Sequence, residues 1–254
     1  RVSAWIDLTV TATRHDQSNN KPIEGEISYL ITTHSSSEQQ LASGTIYNVT
    51  MDQRVKDFHL GKIHIPLAKL WWPHTHGSQP LYIAEVKFRS SNNDVHESCA
   101  STTFGIRTVS SETGAASKSF TLNINGHPIY LAGGNWITSD QFLRFSNSYQ
   151  RYFVELTLLA KAGFNSVRVW GGGITETQQF YHAADKVGML VYQEFWMTGD
   201  NNGRFAGEYD WPTDHVSYTK NVRDVVRRLR NHPSLAFFGS GNELHPTDKS
   251  PSKD

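Results

Sequence analysis

A chain of 254 residues that is 37% hydrophobic and 12% aromatic can fill the cores of one large or two ordinary domains. Lysine plus arginine and aspartate plus glutamate both total 24, so there is no single-sign field for nucleic acid or an anionic membrane, and a neutral polar ligand suits the balance better. No run approaches the roughly 18 to 20 unbroken apolar residues of a membrane span.

The N-terminus, Arg1-Val2-Ser3-Ala4-Trp5, has neither the charged nor the apolar region of a signal peptide and no initiator methionine. Opening directly on the strand-like run Trp5-Ile6-Asp7-Leu8-Thr9-Val10, it reads as a processed piece of a longer precursor. Residues 1–110 then carry short alternating runs rich in Val, Ile, Thr, Tyr and Phe, broken by polar turns such as Asp16 to Asn20 and Ser90 to Asp94. Strands are expected over Ala4 to Ala12, Glu26 to Thr32, Gly44 to Val49, Lys56 to Ile65, Leu81 to Arg89 and Glu97 to Ile106. That spacing fits an antiparallel, immunoglobulin-like sandwich of about 100 residues. Asn48-Val49-Thr50 is a glycosylation sequon, usable only if the chain is secreted. His74-Thr75-His76 has a spacing seen in metal sites, but it follows Trp-Trp-Pro with no third ligand near and reads as a surface loop, so no metal or cofactor is expected. The single cysteine, Cys99, excludes an intramolecular disulfide. Residues 111–119 lack any apolar period and read as a linker.

From Phe120 the rhythm changes, and residues 120–254 alternate apolar runs with helical periods. The strands are Ile129 to Trp136, Phe164 to Trp170, Met189 to Phe195 and Leu235 to Asn242. The helices are Ser148 to Ala162, stopped by Gly163; Glu176 to Val187, closed by Gly188; and the basic-faced Ser217 to Arg230. Successive βα repeats imply parallel strands with right-handed crossovers. A doubly wound sheet and half of a (β/α)8 barrel both fit. The doubly wound reading needs a Gly-rich phosphate turn after the first strand, whereas this link is Gly133-Gly134-Asn135-Trp136-Ile137 and a polar-aromatic loop. The first half of a barrel, four βα units, is therefore favoured, and closure requires eight strands.

The strand ends deliver Asn135 and Trp136; Arg168 and Trp170 with Gly171-Gly172-Gly173; Glu194, Phe195 and Trp196; and Asn242 with Glu243. In parallel βα folds chemistry gathers at these ends. Aromatic faces stack on sugar C–H faces, amides and carboxylates bind hydroxyls, and a glycine triplet lets backbone approach a ligand closely. The candidate substrate-binding set is Asn135, Trp136, Trp170, Gly172, Glu194 and Trp196, with Glu243 as the catalytic candidate.

Several motifs together carry a family resemblance: Leu70-Trp71-Trp72-Pro73, Phe104-Gly105-Ile106-Arg107-Thr108-Val109, Asn125-Gly126, Gly134-Asn135-Trp136, Val167-Arg168-Val169-Trp170-Gly171-Gly172-Gly173, Gln193-Glu194-Phe195 and Gly241-Asn242-Glu243. Across nearly its whole length the chain resembles glycoside hydrolase family 2, and within it the β-mannosidase and exo-β-glucosaminidase branch. It is most similar there to plant endo-β-mannosidases acting on the Manβ1-4GlcNAc linkage of N-glycan cores. The resemblance implies that Glu243 is the acid/base, that Asn242 binds the 2-hydroxyl of the sugar being cleaved, and that Arg168 lies beside the nucleophilic glutamate. It also implies that the nucleophile comes from a later strand on another chain. The partners would be an N-terminal sugar-binding sandwich chain and a C-terminal half-barrel chain in a heterotrimer, located in the vacuole or secretory route.

Other residues read more plainly. Glu155, Glu176 and Asp185 fall in helical periods and read as solvated faces or caps, and Arg223, Arg227, Arg228 and Arg230 as an outer helical face. The long segment Met197 to Asp214 reads as a loop that could wall a sugar subsite. Two alternatives stand beside the endo reading: exo-β-mannosidase or exo-β-glucosaminidase action, and a noncatalytic carbohydrate-binding or scaffold module. Intact Glu243 and Arg168 count against the scaffold, because a buried charged pair costs desolvation energy.

Overall fold

The computed structural model describes residues 2–14, 21–35, 37–91, 97–113, 120–199 and 212–244. The chain forms two compact units, one of Arg1–Leu70 with Pro80–Ile106, the other of Trp71–Gln79 with Arg107–Asp254.

The first unit is a sandwich. Strands β1 (Val2–Thr13) and β4 (Val55–Ala68) pair antiparallel as one sheet, and β2 (Ile23–Thr33), β3 (Gln40–Met51), β5 (Tyr82–Ser90) and β6 (Glu97–Phe104) form the other in the order β3-β2-β5-β6. Alternation decides what is buried: Ile31 from β2, Ile63 and Ile65 from β4 and Ala84 from β5 meet in one core, joined by Ile6, Leu8, Leu41 and Phe104. All six strands anticipated from the sequence are present, and β3 starts earlier, at Gln40, because Gln40 to Ser43 pair with β2 despite their weak strand propensity. Residues Trp71–Gln79 belong instead to the second unit, so the division does not follow a single cut near residue 110. There the Trp71 indole donates to the Asp185 carbonyl at 2.9 Å and the His74 amide to the Gly188 carbonyl at 3.0 Å.

The second unit opens with a three-stranded antiparallel sheet of β7 (Val109–Thr113), β8 (Phe120–Ile124) and β9 (His127–Ile129). The β8–β9 turn is Asn125-Gly126, both at positive φ (52° and 77°), the pair a tight hairpin demands. Residues 111–113, anticipated as linker, are strand: Ser111, Glu112 and Thr113 pair with Leu122, Thr121 and Phe120. The ladder compensates for their lack of apolar period, while residues 114–119 lie outside the described part.

Four parallel strands follow, β10 (Gly133–Trp136), β11 (Ser166–Val169), β12 (Leu190–Glu194) and β13 (Leu235–Gly239), in the order β10-β11-β12-β13, with helices α1 (Tyr149–Lys161), α2 (Gln178–Val187) and α3 (His215–Leu229) between them. Local chemistry sets the helix limits. The Ser148 hydroxyl accepts from the Arg151 amide and the Asp214 carboxylate from the Ser217 amide, while Gly188 at φ 81° closes α2. One sheet face, with Trp136, Val167, Val169 and Val191, packs on Tyr152 and Leu156 of α1, Phe180 of α2 and Leu229 of α3. The other face carries Asn135, Arg168, Tyr192 and Phe237 as one paired row. This is part of a (β/α)8 barrel, four of its eight strands.

Candidate active site

The carboxyl ends of the four strands converge on one guanidinium. Arg168 donates from Nε to Glu194 Oε1 at 2.8 Å, from Nη1 to Asn135 Oδ1 at 2.9 Å and from Nη2 to Asn242 Oδ1 at 2.8 Å. A planar guanidinium with donors in fixed directions suits three acceptors delivered from β10, from β12 and from the connection beyond β13. Glu194 is 2% exposed. Its other oxygen accepts from the Gly171 amide at 2.8 Å, and the Tyr192 hydroxyl donates to Oε1 at 3.0 Å. The buried Glu194 carboxylate is therefore hydrogen-bonded at both oxygens, the condition under which a charge beside the half-buried Arg168 is tolerated.

Asn242 reaches the cluster through a connection beyond β13. The Asn242 amide donates to the Met197 carbonyl at 2.8 Å and the Gly199 amide to the Asn242 carbonyl at 2.9 Å, which joins Thr198 and Asn242 in a parallel bridge. Two glycines make room. A Cβ on Gly171 would lie 2.5 Å from the Met197 carbonyl oxygen, and one on Gly241, whose φ is 152°, would lie 2.6 Å from that same oxygen. The Asn242 side chain is held at both ends, Oδ1 by Arg168 and Nδ2 donating to the Thr198 hydroxyl at 3.2 Å. The next residue, Glu243, is exposed and sits at φ 51°, a left-handed conformation that a non-glycine residue holds at a cost of about 1–3 kcal/mol. It lies past the end of β13, which closes at Gly239, rather than on the strand itself.

The remaining sequence candidates divide. Trp136 belongs to the core and not to the site: it is 7% exposed, packs against Tyr152 and Phe180, and donates from Nε1 to Glu176 Oε1 at 2.9 Å. Adjacent strand residues point to opposite faces, so Asn135 and Trp136 could not both face the ligand. Glu194, anticipated to bind substrate, has its carboxylate occupied and buried, and it positions Arg168 instead. Trp170 is half-buried; its indole fills the space a Cβ of Gly172 would need, 2.0 Å from the nearest ring atom, which is why Gly172 has no side chain. Trp196 lies edge-on to Phe195 and Tyr218 in a cleft with Ile174, Val225 and Arg228, none of which joins the Arg168 cluster. Residues 200–211 of the loop anticipated as a subsite wall are outside the described part.

Two helical carboxylates read as solvated are buried. Glu176 is 1% exposed and also accepts from Tyr152 at 2.7 Å and Thr138 at 3.3 Å, because it precedes α2 facing the core. Asp185, fully buried, accepts from the Ser234 amide at 3.0 Å and pairs with His232 Nδ1 at 2.6 Å. His182, Asp185 and His232 are the group among the described residues whose spacing could hold a cation, yet His232 is engaged at both nitrogens, the second with Gln178 Oε1 at 2.6 Å. His74 is tied to the Phe164 carbonyl at 2.8 Å, consistent with a structural loop. Asn48 is exposed in β3 at φ 58°, beside a register shift in the β2–β3 ladder.

Two residues were missed by the sequence reading. Tyr192 stacks on Phe237 at 4.5 Å, and burial, then its bond to Glu194, raises its hydroxyl pKa. Its i, i+2 spacing from Glu194 was the available signal. Arg107 donates to the Pro233 and Leu235 carbonyls at the start of β13, with burial lowering its pKa to about 10.

The sequence profile of glycosyl hydrolases family 2 matches residues 3–107, and that of the TIM barrel domain of glycosyl hydrolases family 2 matches residues 116–250. The chain is 39% identical over 181 residues to a mannosylglycoprotein endo-beta-mannosidase of Lilium longiflorum, covering 70% of this chain and 19% of that protein. It is 38% identical over 177 residues to beta-mannosidase B of Neosartorya fischeri, covering 68% of this chain and 20% of that one. Among solved structures, the beta-D-mannosidase of Dictyoglomus thermophilum aligns with a TM-score of 0.67 at 26% identity, over 94% of this chain and 27% of that chain. The exo-chitosanase of Amycolatopsis orientalis aligns with a TM-score of 0.70 at 20% identity, over 93% and 28%, a likeness of fold alone. The chain spans about a fifth of the length of these curated relatives.

Proposed function

The chain belongs to glycosyl hydrolases family 2, and from that premise we propose that it forms the acid/base half of a retaining active site that cleaves the Manβ1-4GlcNAc linkage. The observation that carries the reading is the Arg168 guanidinium gathering Asn135, Glu194 and Asn242 at the strand ends, with Glu243 exposed next to Asn242. In the first step Glu243 gives its proton to the departing glycosidic oxygen while a carboxylate attacks the anomeric carbon. In the second Glu243 takes a proton from the water that displaces that carboxylate. Asn242, its amide plane fixed by Arg168 and Thr198, would bind the neighbouring 2-hydroxyl in this reading, a contact that strengthens as the oxocarbenium character develops. The attacking carboxylate comes from strands that complete the barrel, contributed by partner chains in a heteromeric assembly.

The choice of a β-mannoside rests on the 39% identity to a protein named for endo-β-mannosidase action, with 38% identity to a β-mannosidase beside it. That β-mannosidase similarity also supports exo action as the second reading, and assay on Manα1-6Manβ1-4GlcNAc against simple aryl mannosides separates the two. In the assembled enzyme Glu243→Gln should lower turnover of the oligosaccharide by several orders of magnitude. It should cost far less on substrates whose acidic phenol leaves without protonation. Near-normal oligosaccharide turnover by a folded Glu243→Gln enzyme would sink the assignment.

A further inference from the structure

We propose that the loop joining β10 to α1 is a second sugar subsite, with the Phe142 ring as a stacking platform for the pyranose next to the one being cleaved. The proposal rests on the glycosidase reading above and extends it to the neighbouring ring. Phe142 is 84% exposed and Ile137 58% exposed, in a loop that leaves the same strand end as Asn135. Loops after parallel strands are where ligands of these folds are held.

The exposure is not slackness. The Arg144 amide donates to Asp140 Oδ2 at 2.8 Å and the Arg144 guanidinium to Asp140 Oδ1 at 3.1 Å. That guanidinium sits 5.6 Å from both the Phe142 and Phe145 ring centres, and Arg151 lies 4.6 Å from Phe145. Both ends of the loop are pinned to the segment entering α2, by Thr138 donating to Glu176 at 3.3 Å and Thr177 donating to the Ser146 carbonyl at 2.6 Å. Leu143, between the two aromatics, is held at φ 56°, a conformation a branched side chain adopts only when its surroundings impose it. A large ring carried rigidly into solvent, with Asp140, Arg144 and Ser139 as polar groups around it, matches the apolar C–H face and hydroxyl rim of a pyranose.

The test compares Phe142→Ala and Phe142→Trp in the assembled enzyme on two substrates, an aryl β-mannoside and an oligosaccharide with sugars on both sides of the scissile bond. Phe142→Ala should raise KM for the oligosaccharide about tenfold with kcat unchanged, leave the aryl mannoside unaffected, and be rescued by Phe142→Trp. Equal effects on both substrates, or none on the oligosaccharide, overturn the platform. So does protection of Phe142 from hydroxyl-radical labelling without sugar, which would mean that polypeptide covers it. Glu243→Gln separates this outcome from failure of the parent reading: loss of oligosaccharide turnover there, with Phe142→Ala indifferent, removes the subsite alone.

Discussion

Arg168 is the residue on which the site's geometry turns, since its three nitrogens each hold a different acceptor. Arg168→Lys keeps the charge but replaces a rigid fork by a point donor, so Glu194 can be satisfied while Asn135 and Asn242 lose their anchors. We expect kcat/KM to fall about a hundredfold with the fold retained, read by steady-state kinetics beside a circular dichroism melt. Arg168→Met should behave differently. It strands the Glu194 carboxylate at 2% exposure, and losing one partner of a buried pair costs about 3–5 kcal/mol, measurable in urea unfolding. At this scale the alternation of apolar runs located three members of the cluster, Asn135, Arg168 and Glu194, on their strands, whereas Asn242, expected to end the fourth strand, lies beyond it in an isolated bridge with Thr198. What the sequence did not reveal was direction. Strand parity separates Asn135 from Trp136 once the register with Arg168 is known, and that register, Asn135 opposite Arg168, is a tertiary fact.

Elements explain the two carboxylates that helical period misassigned. Asp185 falls in a regular α2, and its partners His232 and Ser234 are 47 and 49 residues away, so nothing local marks it as buried. Asp185→Ala should leave His232 and the Ser234 amide without their acceptor and lower stability by about 2–3 kcal/mol, seen as a shifted denaturation midpoint. Tyr152 of α1 gives a pH-dependent counterpart. Its hydroxyl pKa is raised, mainly by burial and then by the bond to Glu176, above the ordinary value of 10.0. Above pH 10 the unfolded chain sheds this proton while the folded state keeps it, so the unfolded state binds fewer protons and stability falls as pH rises. Tyr152→Phe should therefore cost about 1–2 kcal/mol at neutral pH by removing a donor from Glu176. It should also show a shallower alkaline decline than the parent, measured as unfolding free energy from pH 8 to 11; an unchanged decline would remove Tyr152 as its source.

For the whole molecule, the decisive feature is a parallel sheet with β10 and β13 as its edges among the described strands and a face on which Asn135 is exposed and Arg168, Tyr192 and Phe237 only half-buried. On that face Tyr192 and Phe237 stack beside Arg168, lining a cavity of about 240 Å³ with Leu131 and Ala236. Inward residues of a closed barrel are packed by those of the opposite strands, and unpaired strand edges recruit other chains. The chain spans about a fifth of the relatives it matches, and under the proposed mechanism the second carboxylate stands on another strand of the barrel. If, as proposed above, partner chains complete the barrel, the native protein should run on size exclusion as an assembly. Peptide sequencing of its components should identify chains that complete the barrel, and activity should return only when they are recombined. An isolated chain of these 254 residues that is monomeric, soluble and active on a β-mannoside would contradict this, because one carboxylate at the end of β13 cannot perform both steps of a retaining reaction.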